Sequence, residues 1–336
     1  MTGELSVAFQ GDKSWEDYQR LGALAEAFGF DVVSVYADLG FQPAIAPLLA
    51  IARATVHVRL GPALNPSLLH PVEIAGQIAA LDAASGGRAY LGLARGAWLE
   101  ALGIDGERPL ARLREAIAVI RGVLAREPGG FDGSFYRLPP EPLLHYAPLR
   151  PRVPLLIGTW GPRTLELAGE LADEVKIGGS ANPDLIPWAR QRLAVGERRA
   201  GRPEGSVGVV VGAVTVVAED GDAARERARL EAARYLPVVA PLDPSAMVNR
   251  DELAQMAQLV AAGADDTAAA LVPDALLDRF AFAGTPHDVA AQALRLFAAG
   301  ATRVEFGTPH GLTADDGLRL LGERALPAVR AGLAKR

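Results

Sequence analysis

The sequence predicts an α/β fold: a (β/α)8 TIM barrel with insertions near 128–152 and 237–283. Three observations lead there. Short apolar, β-branched runs alternate with longer helical patterns, the signature of parallel strands joined by crossover helices. Eight such runs occur, each followed by a helical pattern. The chain has 336 residues, half of them hydrophobic, which suits a barrel of about 250 residues enlarged by insertions. A single domain spanning 1–336 is expected.

The elements follow in order. Residues 5–9 form the first strand. Ser14 caps a helix to about residue 28, and Gly29 ends it. Residues 32–36 form the second strand. A loop with Asp38, Gly40 and Pro43 leads into a helix ending near 54. Residues 56–64 form the third strand, and a helix spans 71–84. Gly86 and Gly87 end that helix, and residues 89–94 make a short apolar fourth strand. A long helix covers about 110–126. Six prolines between 128 and 151 then break the rhythm. They are too rigid and donor-poor for a central strand, so this stretch is an excursion with one small hairpin around 131–138. Residues 153–158 form the fifth strand, and Pro162 opens the next helix at its first turn. Residues 175–177 form the sixth strand, with a helix over 183–200. The seventh strand, 207–217, is the most β-branched. Asp220 starts another helix, and 237–283 is a second excursion with helical pieces. Thr285 caps a helix to 299, residues 302–307 form the eighth strand, and Thr313 caps a closing helix to about 335.

Composition narrows the function classes. The 34 basic and 40 acidic residues give a net charge of −6. No basic stripe is present for nucleic acid. Without cysteine, disulfides, thiolate catalysis and Cys-ligated zinc are excluded. The histidines at 57, 70, 145, 287 and 310 have no metal-ligand spacing, so no metal site is expected. No apolar run reaches about 18 residues, and the N-terminus lacks a signal pattern. A cytoplasmic protein with no membrane partner follows.

In a barrel the site lies at the C-terminal strand ends. Those ends carry Gln10, Asp38, Asn65, Arg95, Thr159-Trp160, Gly178-Gly179 and Thr308–His310. After the fourth strand, Arg95 supplies a forked cation and Gly96 permits close backbone approach. Gly158–Pro162 is a tight strand-to-helix turn whose helix start suits an anion. Trp160 and the proline-rich 128–152 segment suggest a partly apolar, lidded pocket, although a tryptophan buried in the fold is the commoner explanation.

Several stretches, in this order, resemble one family: Asn65-Pro66 with His70-Pro71, Leu81-Asp82 with Ser85-Gly86-Gly87-Arg88, Gly158-Thr159-Trp160-Gly161-Pro162, Leu167-Ala168-Gly169 with Ala172-Asp173, and Gly284-Thr285-Pro286. The sequence is similar to the bacterial luciferase-like monooxygenase superfamily, in the branch that uses the deazaflavin coenzyme F420. Thr308–Gly311 and Leu320-Leu321-Gly322-Glu323 most resemble the methylenetetrahydromethanopterin reductases of that branch. The resemblance implies an oxidoreductase that binds F420 and transfers a hydride to or from a small organic substrate. It implies a homodimer or larger homo-oligomer. It also implies a bulged third strand with a non-proline cis peptide behind the deazaflavin ring, at Pro62-Ala63-Leu64-Asn65, the cis bond falling between Pro62 and Ala63. Arg95-Gly96-Ala97, Gly158–Pro162 and Gly178-Gly179 map to the loops that hold the cofactor.

The same resemblance exposes departures. The family's Asp-His after the second strand is replaced by Ala37-Asp38-Leu39, leaving Asp38 as the acid near the ring or as a solvated loop residue. A strand-one glutamate of the reductases maps to Ala8. Lys176 and Glu305 stand where close relatives have apolar residues. Alternate barrel strands supply the same inner layers, so the two either meet inside, with Glu305 taking the acid/base role lost at Ala8, or lie solvated at the rim. Rival readings are FMN with oxygen as co-substrate, a non-catalytic flavin- or deazaflavin-binding protein, and, more remotely, a phosphate-sugar barrel enzyme.

Overall fold

The computed structural model describes residues 3–37, 40–94, 99, 102–104 and 108–335. The chain begins β1 (Glu4–Phe9), α1 (Trp15–Ala27), β2 (Val32–Tyr36), α2 (Ile45–Ala54), β3 (Arg59–Leu64), α3 (Pro71–Ala84), β4 (Leu91–Ala94) and α4 (Pro109–Ala125). A two-stranded hairpin, β5 (Phe131–Asp132) with β6 (Arg137–Leu138), occupies the first excursion. Then come β7 (Leu155–Gly158), α5 (Pro162–Leu171), β8 (Glu174–Gly178), α6 (Leu185–Arg199), β9 (Gly208–Val217) and α7 (Gly221–Val239). The second excursion holds α8 (Arg250–Ala261), α9 (Asp265–Ala270) and α10 (Asp274–Phe280), followed by β10 (Ala281–Gly284), α11 (Pro286–Ala299) and β11 (Arg303–Gly311). The closing helix is α12 (Ala314–Leu320) and α13 (Leu326–Ala334), joined by a π-helical turn at Leu321–Ala325.

Eight parallel strands close on themselves in the order β9-β11-β1-β2-β3-β4-β7-β8, with β8 pairing back to β9. The caps are those the sequence encodes. Ser14 accepts from Asp17 N–H, Thr285 forms a reciprocal capping box with Asp288, and Thr313 accepts from Asp316 N–H. Each contribution is about 1 kcal/mol. The main apolar core lies between barrel and helices, while α7, α8 and α10 pack on a second cluster with Val216, Ala281 and Ala283.

Five expectations are corrected. Residues 56–58 do not extend β3, because the Glu26 carboxylate takes the N–H groups of Val56, His57 and Val58. Residues 281–284 form a ninth strand, β10, alongside the C-terminal half of β9. Strand β11 runs on to Gly311 through a register shift between Gly307 and His310. The cis peptide expected at Pro62–Ala63 is not there; among the described residues the cis bond is Thr308–Pro309. Strand β3 has no bulge, since Pro62 and Ala63 pair in unbroken register with Val35 and Tyr36, and Ala63 and Leu64 with Gly92 and Leu93.

The proline-rich excursion is pinned to the barrel. Arg150 forks onto the buried Asp82 carboxylate through Nε, 3.0 and 3.1 Å from its two oxygens, and donates to Ala89 O at 2.7 Å. Glu115 accepts from Ser134 N–H and Phe135 N–H, fixing the hairpin turn.

Candidate active site at the barrel mouth

Strand alternation decides which side chains enter the lumen. The register places Glu4, Ser6 and Ala8 of β1 on the same face as Arg303 and Glu305 of β11, Ser34 and Tyr36 of β2, and Glu174 and Lys176 of β8. Tyr90 reaches across beneath them, and Gly61 makes the room: a Cβ there would lie 2.2 Å from the Tyr90 ring. Gly212 does the same for Glu305, whose Cβ is 3.0 Å from a hypothetical Cβ at 212.

Lys176 and Glu305 meet inside the barrel. Glu305 is wholly buried and Lys176 is 8% exposed. The Lys176 ammonium and the Tyr36 hydroxyl both donate to Glu305 Oε1. Ser34 Oγ donates to Oε2 at 2.6 Å, with Ser6 Oγ at 3.4 Å. Lys176 Nζ also donates to Tyr36 Oη at 2.8 Å and lies 4.2 Å from the centre of the Tyr36 ring. Burial pushes the Glu305 pKa up, but Lys176 and Arg303, with the hydrogen bonds from Lys176 and Ser34, outweigh it and hold the carboxyl at about 2. Glu305 is therefore ionised, and the buried charge is tolerated because it is paired and hydrogen-bonded.

A second polar layer lies toward the N-terminal end of the barrel. Ser34 Oγ is 2.8 Å from Tyr90 Oη. Burial pushes the Tyr90 phenol up to about 12, against the pull of Arg303. Arg303 is wholly buried, sits 5.1 Å from the Tyr90 ring centre, and approaches Glu174 at 3.4 Å.

The loops above the pair contain the remaining predicted residues. Pro62, Leu64 and Asn65 are buried and Ala63 is half-buried. The Asn65 side chain accepts from Ser67 N–H at 2.8 Å, turning the chain toward α3. Gly158 lies opposite Lys176 in register, and Thr159 N–H donates to Lys176 O. Thr159 Oγ1 accepts from Gly161 N–H, and Trp160 Nε1 donates to Gly178 O at 2.9 Å, tying together the loops after β7 and β8. Pro162 is exposed as the first residue of α5, and the α5 start has no side-chain cap. An uncapped helix start with Arg163 in its first turn suits an anionic group. Among the described residues a Cβ on Gly178 would meet nothing nearer than Lys176 Cε at 3.9 Å, so no described side chain covers the backbone there. Gly179 has φ +76 and faces Val239. Asp38, Arg95, Gly96 and Ala97 lie outside the described residues.

Sequence reasoning missed Tyr36, Ser34, Tyr90 and Arg303. The available signal was polar residues two apart, Ser34 and Tyr36, in a strand covered on both faces. Two histidines near the mouth have structural partners. His70 Nδ1 accepts from Val72 N–H as the α3 cap, and His310 Nε2 lies 3.1 Å from Ala8 O. Among the described residues no group of three or more His, Asp or Glu could hold a metal ion. None of their helices is long and apolar enough to cross a membrane. A cavity of about 310 Å³ opens in the second excursion, lined by Val248, Met256, Leu271 and Arg279 among others, and none of the predicted site residues line it.

A closed eight-stranded parallel barrel with a polar centre below its C-terminal rim defines an α/β-barrel enzyme. The chain belongs to the luciferase-like monooxygenase family, whose pattern matches residues 2–303. It is 29% identical over 340 residues to the 5,10-methylenetetrahydromethanopterin reductase of Archaeoglobus fulgidus, covering 97% of this chain and all of that one. The reductase of the same name from Methanolobus tindarius is 31% identical over 312 residues, covering 90% and 93% of the two chains. The F420-dependent glucose-6-phosphate dehydrogenase of Microbacterium testaceum is 28% identical, covering 92% of each. The solved coenzyme F420-dependent tetrahydromethanopterin reductase of Methanopyrus kandleri shares the fold, with a TM-score of 0.88 at 24% identity over 97% of this chain and 99% of that one.

Proposed function

We propose that this chain is a coenzyme F420-dependent oxidoreductase that moves a hydride between the deazaflavin and a small organic substrate. The observation that carries the reading is likeness along about nine-tenths or more of the chain to enzymes named for that coenzyme or for the pterin reductase reaction. The residues present fit such a group. Gly178 leaves backbone open to a flat ring, Trp160 is tied to that backbone through Gly178 O, and Gly158–Pro162 leads into the uncapped α5 start for an anionic tail, while Gly179, packed on Val239, is proposed as a cofactor contact on the resemblance alone. Pro62–Asn65 is proposed as a further cofactor contact on the resemblance. When bound, the deazaflavin supplies the hydride chemistry; this chain's own part is to orient the partners, exclude water and manage the proton. That last task falls to the centre built by Glu305 and Lys176. Asp38 and Arg95–Ala97 are proposed as further cofactor contacts on the resemblance alone.

Titration calorimetry of the purified chain with F420 and, separately, with FMN tests this. Binding of F420 with at least about 100-fold preference over FMN, close to 3 kcal/mol, is the expected result. Preference for FMN moves the chain to the oxygen-using side of the family, and binding of neither overturns the reading.

A further inference from the structure

Glu305 cannot itself reach a substrate. It is wholly buried, and its two oxygens face Lys176, Tyr36, Ser34 and Ser6. Tyr36 stands in front of it. Tyr36 is the last residue of β2 at the C-terminal rim, and it is half-buried where Glu305 and Lys176 are buried. Its hydroxyl is shared between the two charges, donating to Glu305 and accepting from Lys176 at 2.8 Å. A phenol backed by an ammonium is a proton donor for an oxyanion. The cation stabilises the phenolate that donation leaves, and Glu305 keeps that cation charged and aimed although it is buried.

We propose that Tyr36 is the catalytic acid/base of this enzyme, that Lys176 and Glu305 are its positioning residues, and that the substrate is an uncharged aldehyde or ketone and its alcohol. This rests on the F420 reading above. In the reducing direction a hydride from the reduced deazaflavin forms a C–H bond at the carbonyl carbon, and the C=O π electrons move to oxygen. The Tyr36 O–H hydrogen turns from Glu305 to that oxygen by rotation about the phenol C–O bond. The phenol O–H bond breaks as the substrate O–H bond forms. The carbonyl is reduced and the deazaflavin oxidised. The phenolate remains against the Lys176 ammonium and regains a proton from solvent as the alcohol leaves. Alcohol oxidation is the reverse.

The same geometry disfavours a cationic iminium substrate. Hydride addition to C=N⁺ gives a neutral amine and needs no proton, which would leave Tyr36 idle. Ala8 offers a methyl group in the inner layer in place of a carboxylate that could balance a cation. Among the described residues the charged and titratable groups facing the Tyr36 hydroxyl are Lys176 from β8 and Glu305 from β11; Tyr90 lies one hydrogen bond further, through Ser34.

The test has two readouts, made on chain shown by calorimetry to bind F420, so that loss of the cofactor reading is seen separately. The first is an NMR titration of ring-labelled tyrosines in the cofactor-free chain, with Tyr36→Phe assigning the signal. Lys176→Met raises the Tyr36 pKa and Glu305→Gln lowers it, each by about one unit or more. If neither variant moves it, the hydroxyl is not coupled to the pair and the proposal falls. The second is oxidation of reduced F420 by cyclohexanone and by benzaldehyde. The unaltered chain turns over at least one of them. Tyr36→Phe cuts kcat by about 100-fold or more, with F420 affinity and KM changed less than about threefold and an unchanged circular dichroism spectrum. Retained kcat in Tyr36→Phe overturns the role of Tyr36. An F420-binding chain that reduces neither carbonyl overturns the substrate class.

Discussion

At the residue scale the site is a problem of placing charge in a dry interior. Glu305 and Lys176 each carry a desolvation cost of several kcal/mol, offset only because each finds the other together with a hydroxyl. The pair is therefore asymmetric to mutation. Glu305→Gln strands the ammonium beside a neutral amide, and the expected loss is about 3–5 kcal/mol of unfolding free energy. Removing both charges in Lys176→Met with Glu305→Leu leaves no ammonium without its carboxylate and takes an acceptor only from the Ser34 and Tyr36 hydroxyls and a distant anion from Arg303, so the double variant should be more stable than Glu305→Gln alone. Urea unfolding of the three proteins measures this. A Glu305→Gln midpoint indistinguishable from the parent would mean the ion pair is not formed in solution. Arg303 shows a different solution to the same problem. Its guanidinium is wholly buried and lies over the face of Tyr90, with Glu174 near. A flat, weakly hydrated cation can use a ring face in a way an ammonium matches less well.

Elements are held at fixed spacing by glycines that admit no side chain. Helices α5 and α6 cross so closely that a Cβ on Gly196 would lie 1.8 Å from Glu166 O and 2.9 Å from Glu170 N, both backbone atoms. Gly196→Ala must push α5 away from α6 and with it the α5 start at the mouth; a loss of about 1–3 kcal/mol is expected. Gly76 in α3 is the contrast, with nothing among the described residues within 4 Å of its Cβ direction. Gly76→Ala should raise stability by about 0.5–1 kcal/mol through helix propensity. Thermal unfolding of the two variants should shift in opposite directions, and a shift of the same sign in both would refute the packing argument. The eight barrel strands were legible because their apolar runs are separated by helical patterns. Strand β10 was not, since Ala281-Phe282-Ala283-Gly284 follows α10 with no turn residue between them. The start of β3 was misread because Glu26, thirty residues away in sequence, claims the N–H groups of Val56 to Val58. Strand alternation suggested that Lys176 and Glu305 could meet but left them equally able to lie solvated at the rim, since alternation gives a face and not a depth in the barrel. Tyr36 could not be singled out, because reach across the lumen depends on glycines such as Gly61 and Gly212 lying opposite the large side chains.

Over the whole molecule, a net charge of −6 says little about acid stability, because two buried groups with displaced pKa values act on it in different pH ranges. His310 is 2% exposed, stands edge-on to Phe9 and bonds Ala8 O, joining the end of β11 to β1. Burial, opposed by the hydrogen bond to Ala8, lowers its pKa from 6.5 to about 4. The unfolded chain protonates this imidazole near 6.5, while the folded chain keeps it neutral down to about 4. Between those values the unfolded state binds more protons, so stability falls as pH drops, by about 3 kcal/mol in all. Glu305 acts lower. Its folded pKa is about 2 against an ordinary 4.5, so its contribution is complete above 4.5 and is lost as pH falls toward 2. The urea midpoint of the unaltered chain should therefore decline from pH 6.5 downward and go on declining below 4.5. In His310→Gln the first decline should flatten while the second persists, because the amide has no proton to gain and Glu305 is untouched. An unchanged slope between pH 6.5 and 4.5 in that variant would show that some group other than His310 governs the upper range, and that the clasp between β11 and β1 is not the acid-labile joint of the barrel.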